Sequence, residues 1–87
     1  MRGRSIAILL AATRLAVAQP DPEAARIFQR GRELAKLGQL TEACALFARS
    51  YELDPALGTA VNLADCLERQ GQLCRAWVLF DVVARNS

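Results

Sequence analysis

The chain has 87 residues, room for one small domain without a deep core, which favours a fold of local contacts over one of long-range strand pairing. Alanine, leucine, arginine, glutamate and glutamine dominate and aromatics are few, a helical vocabulary; histidine is absent, which removes the commonest general base and metal ligand together with the Ser-His and Cys-His nucleophile pairs. The formal charge of +2 is local: Arg2, Arg4 and Arg14 open the chain, whereas from Gln19 onward eight cations face nine acids, a net −1 without the basic stripe and interleaved aromatics of a nucleic-acid binder.

Residues 1 to 18 read as an address. Met1 to Arg4 is basic, Ile6 to Ala12 is apolar, and Ala16 and Ala18 are the small residues a signal peptidase reads. Arg14 interrupts the pattern. The run is far shorter than the ~20 apolar residues that span a bilayer, so a leader helix cleaved before Gln19 is expected rather than a stable membrane span. Export would place the body in a bacterial periplasm or outside the cell. Without it residues 1 to 18 are an extension of a cytoplasmic protein.

Residues 19 to 23 read as a linker into the first helix, with Asp21 at the N-cap and Pro22 at the first helical position, where its missing N–H costs nothing. Apolar spacing predicts a helix from Pro22 to Leu37, with Ile27, Gly31, Leu34 and Leu37 on its inner face. Gly38 ends it in the left-handed conformation. Thr41 is expected to cap a second helix, which has Ala43, Leu46, Phe47 and Ser50 inside and stops at Asp54-Pro55. A third helix carries Ala60, Val61, Ala64 and Leu67. Gly71 breaks it, and a fourth continues with Ala76, Phe80 and Val83.

These elements repeat. Gly38-Gln39-Leu40 recurs as Gly71-Gln72-Leu73, Leu34 as Leu67, Ala43 as Ala76 and Phe47 as Phe80, each at an offset of 33. Small Gly31 falls on small Ala64 at the same offset, while the charged flanks differ. A fixed period carried by turn, small and aromatic positions predicts an all-α fold of two stacked helix-turn-helix hairpins, residues 24 to 57 and 58 to 87, a fragment of an α-solenoid.

The stretch from Asn62 to Leu73 followed by Ala76 and Phe80, with Gly31, Leu34, Gly38, Leu40, Ala43, Phe47 and Leu53-Asp54-Pro55, resembles the tetratricopeptide repeat. The likeness covers residues 24 to 85. Three departures stand out: Arg30 replaces a leucine, as in a unit whose outer side faces solvent, the period is 33 against the family's ~34, and unit two ends before its closing proline. The resemblance therefore leaves the C-terminal end unfinished, with Trp77, Val78, Val82 and Ala84 beyond the inner face of the last helix. A neighbouring subunit, a partner or a further segment is expected to cover Trp77. Alternatively, Trp77 lies across Val61 and Leu57 as core.

The resemblance also implies a groove lined by the first helix of each unit that binds a peptide or protein surface. Its positions here are Phe28, Arg32, Ala35 and Lys36 in unit one and Val61, Asp65, Glu68 and Arg69 in unit two. Arg32, Lys36 and Arg69 can pair a partner's carboxylates, Phe28 supplies an apolar contact, and Asn62 can bond a peptide backbone. The plainer alternative is that each charge is the wet face of a helix.

Cys44, Cys66 and Cys74 lack the close spacing of a zinc or redox motif. The resemblance puts Cys44 and Cys66 on the facing sides of adjacent units. They either bridge in an oxidising compartment, leaving Cys74 free, or pack as small apolar side chains. Gly38 and Gly71 fall at turns and no glycine-rich, phosphate-cradling loop appears, and the carboxylates, including Asp65 and Glu68 on one helix face, do not converge with a partner for acid–base chemistry. No cofactor is implied. The reading is a non-enzymatic interaction module, with a structural segment of a longer or self-assembling repeat array, stacking through its C-terminal helix, as the alternative.

Overall fold

The computed structural model describes residues 20–87, so the leader expected over residues 1 to 18 lies outside the described residues. Four helices follow in order: α1 (Pro22–Lys36), α2 (Leu40–Leu53), α3 (Leu57–Arg69) and α4 (Leu73–Asn86). Among the described residues there is no strand. The α1–α2 and α3–α4 pairs form two hairpins, and α2 packs on α3 to stack one hairpin on the other.

Local chemistry sets the boundaries. The Asp21 side chain accepts hydrogen bonds from the backbone N–H groups of Glu23 (2.9 Å) and Ala24 (3.3 Å), satisfying two of the donors a helix start leaves unpaired. Pro22 occupies the first position as expected. At the other end of α1, Gly38 takes φ +78°, so that its N–H reaches Ala35 O (3.0 Å) and the Gln39 N–H reaches Leu34 O (3.0 Å). The second hairpin repeats this closure. Gly71 takes φ +82°, its N–H donates to Glu68 O (2.9 Å), and that of Gln72 donates to Leu67 O (2.9 Å). The following residues, Gln39 and Gln72, match within a few degrees, at φ/ψ −85/74° and −87/69°. The internal period is thus a period of backbone conformation.

Thr41 is not the cap of α2. The helix already starts at Leu40, with Gln39 in the capping position and no side-chain cap bond. The Thr41 hydroxyl instead accepts from Gln70 Nε2 (3.1 Å), tying the start of α2 to the end of α3.

The core follows the apolar stripes, with corrections. Leu34, Ala43, Cys44, Phe47, Leu63, Cys66, Leu67 and Ala76 form one buried cluster, flanked by Phe28, Leu46 and Leu79. Gly31 is buried because it lies against Phe47. Leu37, expected inside, is the exposed capping residue after α1, where the chain turns away from the core. Val61 is exposed too, since it points off the α2–α3 seam that Leu63 and Cys66 fill. Ser50 is buried and donates through Oγ to Ala24 O (2.9 Å), closing the open end of the first hairpin.

Phe47 and Phe80 occupy the same place, eight residues into their helices, but not the same environment. Phe47 is 2% exposed between α1 and α3, whereas Phe80 is 37% exposed, with no further helix packed on α4 among the described residues. Trp77 is 69% exposed, which overturns the reading of it as core across Val61 and Leu57.

Candidate functional site

α1 and α3 run along one side of the stack, and the cleft between them gathers most of the residues expected at a binding face. Arg32, Ala35 and Lys36 line it from α1, Asn62, Asp65 and Arg69 from α3, with Phe47 and Cys66 at its base. The helical period explains the set: 32, 35 and 36, like 62, 65, 66 and 69, recur at three and four residues and so share a face. Its volume is about 250 Å³. That is at the shallow end for a small-molecule pocket, which usually needs ~300 Å³ or more, and suits a segment lying across the surface.

Three cations face one carboxylate in this cleft, giving it a positive field. Asn62 Nδ2 donates to Gly58 O one turn back (2.9 Å), which fixes the amide and leaves Oδ1 to accept an N–H. The Arg32 guanidinium sits 6.0 Å from the centroid of the Phe28 ring, a cation–π contact that restricts where the charge points.

Phe28 itself does not line this cleft. It stacks on Phe47 at 5.5 Å between centroids, tilted by 51°, and borders a neighbouring depression with Ala24, Ser50, Asp54 and Thr59. Its contribution to the cleft is the support of Arg32. Glu68 and Val61 are exposed and outside the lining as well. Phe47 and Cys66 line the cleft without being among the groove positions that the resemblance implies. The sequence marks both as inner-face positions, and only the shallow stacking of α1 beside α3 brings them to the floor.

Cys44 and Cys66 are joined in a disulfide whose Cα atoms lie 5.6 Å apart, and Cys74 is a free, exposed thiol. The bond crosses from α2 to α3 beneath the cleft and resolves the two alternatives left by the sequence in favour of bridging. Among the described residues no cluster of three or more histidine, cysteine or acidic side chains is arranged to hold a metal ion, and no helix is long and apolar enough to cross a membrane. No protein-family model, curated protein or solved structure matches the chain.

Proposed function

We propose that the chain is a non-catalytic, tetratricopeptide-like interaction module that holds an extended acidic segment of a partner protein in the cleft between α1 and α3. The observation that carries this reading is the convergence of Arg32, Lys36 and Arg69, from two helices of different hairpins, on one shallow surface. Charged donors of this kind make hydrogen bonds to carboxylates about twice as strong as neutral pairs. Asn62 Oδ1 accepts a backbone N–H of the bound segment and so favours an extended strand over a folded surface.

The Cys44–Cys66 bond supports a periplasmic or extracellular setting, because such bonds persist in oxidising compartments. Titrating the full chain into a labelled acidic peptide tests the binding. Saturable anisotropy is expected, with at least about tenfold weaker binding for Arg32→Glu/Arg69→Glu, a loss of ~1.4 kcal/mol. Equal affinity for a basic peptide of the same length would refute the reading.

The exposed Trp77 favours a second reading, in which the chain is a self-associating repeat segment that stacks through its C-terminal helix. The two uses involve different faces and are compatible.

A further inference from the structure

One side of α4 is apolar and bare. Leu73 is 61% and Trp77 69% exposed, and with Phe80 and Ala84 they form a stripe along one side of the helix. Shifted back by the period of 33, these four residues fall on Leu40, Cys44, Phe47 and Tyr51 of α2. In the first hairpin that stripe is covered: Cys44 and Phe47 are buried, Leu40 and Tyr51 partly so, and α3 lies along it, bonded to it through Cys66. The molecule therefore contains, one unit upstream, the helix-on-helix packing that α4 lacks.

Two features select a second copy of this chain as the occupant. The first is spacing. Leu73, Trp77, Phe80 and Ala84 are separated by four, three and four residues, a pattern that reads the same from either end. An antiparallel copy sets Leu73 opposite Ala84 and Trp77 opposite Phe80, twice over, so that a large side chain meets a small one and ring meets ring.

The second feature is the opposite end of the molecule. Arg26, Arg30 and Glu33 on the outer side of α1 stand one period before Thr59, Leu63 and Cys66, the residues with which α3 meets its neighbour. Arg30 and Glu33 are paired at 3.3 Å and solvated. Stacking head to tail would bury these charges against Trp77, and desolvated charge costs more than an apolar contact returns. Among the described residues, the only apolar end a copy has to offer is its own α4.

We propose that α4 is a homodimer interface, two copies packing antiparallel about a two-fold axis through Leu73, Trp77, Phe80 and Ala84. This deepens the self-association reading above and rests on it.

Sedimentation equilibrium of the full chain tests the arrangement. The mass is expected to rise from 9.5 kDa to twice that with concentration, and Trp77 emission to move to shorter wavelength in step. Trp77→Glu is expected to remain monomeric with unchanged far-UV circular dichroism. Ala84→Glu, at a position exposed in the single chain, is expected to do the same and guards against a folding defect in the first variant. Labelled Trp77→Glu is expected not to bind the wild-type chain, since it has no apolar end left to give. Wild-type–variant complexes, or species larger than a dimer, would mean head-to-tail stacking and overturn the antiparallel arrangement while leaving self-association standing. A wild-type chain that stays monomeric up to ~1 mM, the weak end of the affinity scale, with Trp77 emitting as in water, would overturn both.

Discussion

Gly31 lies flat against the ring of Phe47: a Cβ built on the glycine would stand 3.0 Å from both Cδ1 and Cε1. Phe47 is among the largest fully buried side chains and is held from its other side by α3, so the ring has little room to retreat. Gly31→Val is expected to destabilise the chain by about 2 kcal/mol through overpacking. Gly58→Ala is the control. It lies in the first turn of α3 with nothing within 4 Å of its added Cβ, and should gain up to about 1 kcal/mol of helix propensity. Opposite shifts in urea midpoint check the pair.

The disulfide between Cys44 and Cys66 spans 22 positions in sequence. Closing a loop of that size is worth about 3 kcal/mol by restricting the unfolded chain. Cys44→Ala/Cys66→Ala should therefore unfold at markedly lower denaturant than the oxidised parent and match the parent once reductant is added. A thiol count on unreduced, unfolded protein should return Cys74 alone; three reactive thiols would mean the bond does not form.

Asp21 holds the start of α1 by accepting from two backbone N–H groups. Asp21→Ala is expected to cost about 1 kcal/mol, which for a domain of this size lowers the melting temperature by about 4 to 8 °C. Asp21→Asn, which keeps an acceptor at the same reach, should restore most of the loss. Thermal melts followed at 222 nm read both.

The fold was legible because its signals are local. Asp21-Pro22, Gly38 and Gly71 mark helix ends by backbone chemistry that needs no tertiary partner, and the offset of 33 shows that one solution is used twice. The misreadings share one cause. Periodicity and residue type point Leu37 and Val61 inward and make Thr41 a cap, yet tertiary context decides them: the chain turns away at Leu37, Val61 lies off the α2–α3 seam, and Thr41 bonds Gln70 across it. The cleft charges were legible as helix-face neighbours. The place of Phe28 was not, since an aromatic between two helices can turn to the groove or to the core, and here the Phe47 ring draws it inward. The resemblance singled out Cys44 and Cys66 as the facing pair, but whether they bond lay beyond the sequence, because it depends on the distance between two helices.

If the cleft works through charge, its affinity is salt-dependent. Arg32, Lys36 and Arg69 are solvent-exposed, and at 0.15 M ionic strength the screening length is about 8 Å. Acidic-peptide binding is expected to weaken several-fold between 50 mM and 500 mM salt. Asp65→Asn should tighten it about two- to threefold by removing the only carboxylate among the lining residues. Isothermal titration at the two salt concentrations, with both proteins, checks this.

Within each hairpin a glycine turn keeps the two helices together. Between the hairpins no turn does this, only the Ala56 connection and the α2–α3 seam, and the sulfur bridge lies in that seam. It acts as a weld at a joint that locks the angle between the units, and under the proposed binding role that angle sets the curvature an incoming segment meets. A receptor stiffened in this way loses little conformational freedom on binding, whereas the same chain with its sulfurs reduced must find that curvature anew each time.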